Sequence, residues 1–138
     1  SELERFSITI PQELAVAFDE RNQRKGYGNR YEAIRDLIRD ALVKEEWLDH
    51  KANVAAPLTL VYDHHTRTLT NRITAVQHDF GHIIVSTMHV HLDHDNCLEV
   101  IVLRGLAEEV QAVADRLVAI KGVKHAQVTL ATEGRRLV

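Results

Sequence analysis

The side chains able to hold a transition metal are concentrated between Gln77 and Glu99. That stretch, QHDFGHIIVSTMHVHLDHDNCLE, carries five of the nine histidines and the single cysteine. The run from Ile83 to Leu92 reads as a strand, so its side chains alternate between faces. Ser86, Met88, Val90 and Leu92 fall on one face; Val85, Thr87, His89 and His91 fall on the other. Two imidazoles two positions apart on a strand are separated by roughly 6.5–7 Å along the backbone, within reach of one metal ion. Cys97 follows Asp93-His94-Asp95-Asn96, a turn sequence that returns its sulfur toward the two histidines. Taken singly, His89 and His91 suit a polar strand face, and Cys97 a small buried filler. Their joint occurrence points to a metal site. Imidazoles with one thiolate suit tetrahedral zinc, or a square-planar Cu(II) or Ni(II) ion.

His78 precedes this strand on a helix whose apolar stripe is Leu69, Ile73, Val76 and Phe80. At about 100° per residue, nine positions from Leu69 turns His78 roughly 180° from the stripe. It faces away from its own core, as an exposed surface histidine or as a ligand offered to a neighbouring subunit. Glu99 shares the face of Cys97 and could accept a hydrogen bond from a ligating imidazole. His82 and His94 flank the site, His64 and His65 read as turn residues, and His125 as a strand residue.

The elements that must position these groups follow from the pattern of residues 51–138. Leu58–Tyr62 reads as a strand, Asp63-His64-His65-Thr66 as a turn that caps the next helix, and Leu69–Phe80 as that helix. Strands at 83–92 and 97–104 follow, and Arg104-Gly105 breaks the pattern. A helix marked by Val110, Val113, Ala114 and Leu117 ends at Gly122, and Val123–Ala131 is a last strand. The order β-α-β-β-α-β is the ferredoxin-like, ACT-like arrangement of an α+β domain.

Residues 1–50 form a separate unit, with the boundary placed near His50–Asn53. Arg5-Phe6-Ser7-Ile8-Thr9-Ile10 alternates strictly, and Pro11 ends the strand and suits a helix start. Leu14, Ala17 and Phe18 recur at helical spacing. Gly26 suits a left-handed helix end, and Asn29 with Glu32 makes a capping-box-like pair. Ala33, Ile34, Leu37, Ile38, Ala41 and Leu42 give the second helix a broad apolar stripe. One strand and two helices cannot bury a core alone, whereas two copies can pair strands and interlock helices. This is the ribbon-helix-helix plan, in which a two-stranded ribbon enters the major groove of double-stranded DNA. Its outward face would be Arg5, Ser7 and Thr9, with a backbone phosphate held near Asn29 and Arg30. The same three residues also suit the wet face of an edge strand. Residues 1–50 carry eight Lys+Arg against eleven Asp+Glu, so any cationic face is local to the ribbon, which has no acid from Phe6 to Gln12.

With 138 residues and a net charge of −3, the chain has room for one ordinary domain or two small ones. One cysteine excludes an internal disulfide framework, which suits a reducing cytosol. The absence of a signal peptide or an apolar run of membrane-spanning length sets the expectation of a cytoplasmic protein with no membrane partner.

RFSITIP at the start, GYGNRYEAIRDLIRDAL in the second helix and H-V-H…C-L-E near residue 90 together resemble the nickel-responsive ribbon-helix-helix repressors, the NikR family. The most specific part is Gln77-His78, followed by His89-Val90-His91 and Cys97-Leu98-Glu99. The resemblance implies a homotetramer, a dimer of dimers with a central core of four regulatory domains. It implies one Ni(II) per subunit in a square plane, held by His89, His91 and Cys97 of one chain and His78 of another. It places the major-groove contacts on Arg5, Ser7 and Thr9, and a weaker cation site at Glu32 and Asp36. Tyr31 stands where the family commonly has serine, and Ser7 where threonine is frequent. These departures bear on the phosphate geometry and on the operator sequence.

Two functions are therefore open. The first is a nickel-dependent transcriptional regulator that represses nickel uptake. The second is a metal-binding storage protein or metalloenzyme whose first fifty residues only dimerise it. Four protein ligands would leave a square-planar or tetrahedral metal no open position, and no acid–base pair or activated nucleophile stands out, so an enzyme is disfavoured.

Overall fold

The computed structural model describes residues 2–138. They form two compact units, one ending at Asp40 and one beginning at Ala41. The first unit contains α1 (Gln12–Lys25) and the opening turns of α2 (Arg30–Leu48). Helix α1 closes at Gly26, whose φ of 84° is the left-handed conformation that glycine adopts without penalty. Asn29 caps α2: its Oδ1 accepts the Glu32 backbone N–H at 3.1 Å. The reciprocal half of a capping box is replaced, because the Glu32 carboxylate pairs with Arg35.

Residues 2–10 carry no strand assignment. The alternating pattern predicts one, and the physical reason for the difference is that a ribbon strand needs a second chain to supply its ladder. The apolar positions of that pattern are uncovered: Phe6 is 71% and Ile8 70% exposed. Leu14, Leu37 and Ile38 are exposed as well, while Ala33 is buried. A single copy of this unit has almost no core.

The second unit holds the remaining elements: β1 (Asn53–Asp63), α3 (Arg67–Asp79), β2 (Ile84–His91), β3 (Asn96–Leu106), α4 (Ala107–Val118) and β4 (His125–Val128). The sheet order is β2-β3-β1-β4, antiparallel throughout, which is the ferredoxin-like topology the pattern predicts. Leu58, Leu60, Ile101 and Leu103 of the central strands are fully buried against Ile73 of α3 and Val110, Val113 and Leu117 of α4. Each such side chain contributes on the order of 1.5–3 kcal/mol. Residues 41–48 of α2 belong to this unit, with Trp47 Nε1 donating to the Ala131 carbonyl at 2.9 Å.

Strand limits differ from the pattern for identifiable reasons. Strand β1 begins five residues before Leu58 and passes through Pro57. The missing N–H is tolerated because the regular β1–β4 pairing starts only at Leu58, and at Pro57 only the carbonyl is used, by Thr129 N–H. Strand β3 runs through Gly105, which does not break it: a Cβ there would lie 2.8 Å from Ile83 Cδ1, so the close packing selects glycine. Strand β4 is shorter than 123–131, although Lys124 N–H, Thr129 N–H and Ala131 N–H continue bonding to Val61, Pro57 and Ala55.

Candidate metal centre

The antiparallel register of β2 and β3 sets His89 directly across from Glu99, and His91 directly across from Cys97. Directly opposed residues share a face of the sheet, so all four lie on the face that the helices cover, alongside Ile101 and Leu103. Strand β2 is an edge strand, and there His89 and His91 are exposed while Cys97 and Glu99 are buried. The next strand continues the row, because Tyr62 of β1 stands across from Cys97.

Glu99 is 1% exposed, and three donors converge on its carboxylate. Tyr62 donates its hydroxyl to Oε1 at 2.7 Å, while Gln77 Nε2 at 2.7 Å and Thr87 Oγ1 at 2.8 Å donate to Oε2. A buried carboxylate without such partners would be costly. Burial, and then the neighbouring Glu99, push the Tyr62 hydroxyl well above the ordinary phenol range, so it remains a donor across the accessible pH range. His89 Nε2 lies 3.5 Å from Glu99 Oε2, and its Nδ1 lies 3.9 Å from Cys97 Sγ. The ring therefore spans a fixed carboxylate and the thiol.

This geometry fits a borderline divalent cation. Bonds of ~2.0–2.3 Å to nitrogen and sulfur place the two donors roughly 3–3.6 Å apart around one ion, so the observed separation closes with a shift of well under 1 Å. A buried carboxylate behind a ligating imidazole is the usual device that fixes ring orientation. The predicted residues are not all gathered. His91 shares the face, but its ring makes an edge contact with the ring of His64, centroids 5.1 Å apart. His78 is exposed on the last turn of α3, and among the described residues of its own chain no hydrogen bond or ion pair links it to the other three.

The remaining predicted residues sit in the first unit. Arg5, Ser7 and Thr9 are exposed. Arg30 forms a two-pronged pair with Asp19 (2.8 and 2.7 Å), which lowers the Asp19 pKa chiefly through that hydrogen bond. Asp36 accepts from Tyr27 and Arg39, and its carboxyl is held below the usual range by the Tyr27 hydroxyl first. Glu32 and Asp36 are thus each engaged by protein donors rather than by one another.

Three contributors to the centre, Tyr62, Thr87 and Gln77, are absent from the sequence-derived site. The signal for them was Glu99 itself: alternation put an acid on a buried strand face, and such an acid requires donors from the elements packed over it.

An unpaired ribbon-helix-helix segment joined to a ferredoxin-like domain with an imidazole–thiol pair defines a two-domain metalloregulator class. Comparison with known proteins agrees. Residues 4–45 match the ribbon-helix-helix protein, copG family, and residues 55–131 match the NikR C terminal nickel binding domain. A relative from Solibacter usitatus bearing the name "Putative nickel-responsive regulator" is 50% identical over 99% of both chains. Relatives of the same name from Desulfovibrio desulfuricans and Thermococcus onnurineus are 53% and 45% identical, over 98% and 97% of this chain and 97% of each of theirs. The ACT domain from GTP pyrophosphokinase of Chlorobium tepidum superposes on 56% of this chain and 99% of its own, with a TM-score of 0.45 and 18% identity. This chain belongs to the nickel-responsive regulator family. Its relatives are named as regulators, not enzymes, and no helix among the described residues is long and apolar enough to cross a membrane.

Proposed function

We propose that this protein is a nickel-dependent repressor of nickel-uptake genes that binds operator DNA as a homotetramer in the cytoplasm. The observation that carries the reading is the His89 imidazole, backed by the buried Glu99 and aimed at Cys97 across one strand pair. In this reading His89, His91 and Cys97 hold one Ni(II) per subunit, and a second copy of the chain contributes His78. His91 turns its ring from His64 toward Cys97. The exposed position of His78 supports this assignment, since no described residue of its own chain makes a hydrogen bond or ion pair with its ring. What the bound metal supplies is coordination shared between two chains.

The exposed Phe6 and Ile8 support pairing of two N-terminal segments into a ribbon, with Arg5, Ser7 and Thr9 turned to base edges. Asn29 and Arg30 at the start of α2 would contact the DNA backbone, and Arg30 would exchange Asp19 for a phosphate. Glu32 and Asp36 remain a weak cation site only if their arginine partners withdraw. Regulation is a population shift: metal must bind more tightly to the DNA-competent arrangement, and tenfold control requires about 1.4 kcal/mol of coupling. The test is an absorption titration with Ni(II). A thiolate charge-transfer band should appear, vanish in Cys97→Ala, and track retention of operator DNA. Operator binding that stays metal-dependent in Cys97→Ala would overturn the mechanism.

A further inference from the structure

We propose that the space between the end of α2 and the C-terminal residues binds a small zwitterion, a free amino acid. A cavity of about 120 Å³ lies there, lined chiefly by Glu46, Asn53, Thr132, Glu133, Arg135 and Arg136. A water molecule needs roughly 10–15 Å³ of such space, so there is room for a polar molecule of several non-hydrogen atoms. The whole lining belongs to the second unit. Its floor is held in place, because Trp47 Nε1 donates to the Ala131 carbonyl and Thr132 Oγ1 accepts the Gly134 N–H at 3.0 Å.

Two of the charges around this cavity are matched within the protein and two are not. Glu133 pairs with Arg104 at 3.2 Å and with Arg135 at 3.1 Å. Glu46 is 8% exposed, yet the one donor to its carboxylate is the Thr132 hydroxyl, 3.0 Å from Oε2 and 3.4 Å from Oε1. Glu99, equally buried, receives three donors. A carboxylate offers about four acceptor positions, and one buried short of donors is costly. Arg136 is exposed, lines the same cavity, and among the described residues forms no hydrogen bond or ion pair. Glu46 and Arg136 therefore face one space without reaching each other. The first needs N–H donors and the second a carboxylate-like acceptor. With two acids and two arginines around the cavity, an ion of either sign alone leaves one group unmatched. An amino acid matches both, with its ammonium on Glu46 and its carboxylate on Arg136. A neighbouring cleft of about 380 Å³ shares Asn53, Glu133 and Arg135 and adds His82, Val85 and Arg104, which leaves room for the ligand's side chain. None of this rests on the reading of the metal centre.

The test uses the full chain, stripped of metal by a chelator and dialysed, so that metal–amino acid complexes play no part. Glycine and L-alanine are titrated first, then the other common amino acids, by calorimetry and by thermal melts. At saturation at least one should raise Tm by several degrees through mass action on the folded state. Methylamine and acetate, which each carry half of the zwitterion, should bind about tenfold more weakly or worse. Glu46→Gln keeps an oxygen for the Thr132 hydroxyl, and Arg136 is exposed, so Glu46→Gln and Arg136→Gln should both fold as the native chain does. Each should lose about tenfold or more in affinity for the amino acid. If no common amino acid binds the native protein, the site is refuted. Binding that survives both substitutions refutes the roles of Glu46 and Arg136, and methylamine or acetate binding as tightly as the amino acid refutes the zwitterion. The Ni(II) thiolate band reads the metal centre separately, so failure of either reading leaves the other to be decided by its own measurement.

Discussion

Replacing Glu99 tests whether the centre is organised by its buried carboxylate. In Glu99→Ala the Tyr62 hydroxyl, on a residue only 2% exposed, loses its 2.7 Å acceptor. An orphaned buried donor costs about 1–3 kcal/mol, and the emptied space of the side chain adds on the order of 1 kcal/mol. Gln77 and Thr87 are nearer solvent and can turn to water, so they add little. The sum is ~3 kcal/mol, which for a unit of about a hundred residues lowers Tm by roughly 12–24 °C. Thermal melts by circular dichroism, run with a chelator so that no metal contributes, read this directly. The diagnostic control is Tyr62→Phe. In the native background it removes a satisfied hydrogen bond and lowers Tm; in the Glu99→Ala background it removes the orphan and raises Tm. Metal affinity should fall about 10–100-fold in Glu99→Ala through loss of support for His89. If Tyr62→Phe lowers Tm equally in both backgrounds, Glu99 is not the acceptor that this account requires.

Four further variants have defined outcomes. His78→Ala should leave the metal-free Tm unchanged, because the side chain is exposed, yet abolish the planar-Ni(II) thiolate band; retention of that band removes His78 from the ligand set. Asp93 has its pKa depressed to about 2, first by the Asn96 side chain and then by the Asn96 and Asp95 backbone N–H groups. A depressed carboxylate contributes stability above its unfolded value, and that contribution is lost as pH falls from about 4 toward about 2. The Tm difference between native protein and Asp93→Ala should therefore be constant near neutrality and close over that window, in melts at stepped pH. Ile8→Asp should give, by sedimentation, a smaller assembly that no longer binds operator DNA, whereas Arg5→Ala should keep the assembly and lose about 1–3 kcal/mol of discrimination at one base in fluorescence anisotropy.

Periodicity made much of the second unit legible. Alternation in 83–92 put Thr87, His89 and His91 on one face, and the register opposes His91 to Cys97. The Leu69–Phe80 stripe left His78 outside, where it is found exposed. Other features were not legible, for physical reasons. Proline and glycine punctuate a sequence by local preference, but Pro57 and Gly105 are placed by neighbours: one where the facing chain uses only the carbonyl, through Thr129 N–H, the other where Ile83 leaves no room for a Cβ. The Tyr62, Gln77 and Thr87 donors come from three elements distant in the chain, and no spacing rule links them. The ribbon strand was legible as a pattern and is unformed in one chain, because a lone strand has no neighbour to complete its hydrogen-bond ladder.

Cys97 gives the molecule a built-in probe of its own motion. It is the only thiol in the chain and is 2% exposed, so a thiol reagent gives a single product, and only when the β2–β3 hairpin lifts from the core. Under conditions where reclosing is fast, the labelling rate is the free-thiol rate multiplied by the fraction open. Each tenfold slowing then corresponds to about 1.4 kcal/mol of local opening free energy. The rigidity of the strand pair can thus be measured residue-specifically in the unmodified protein, before and after any effector is added.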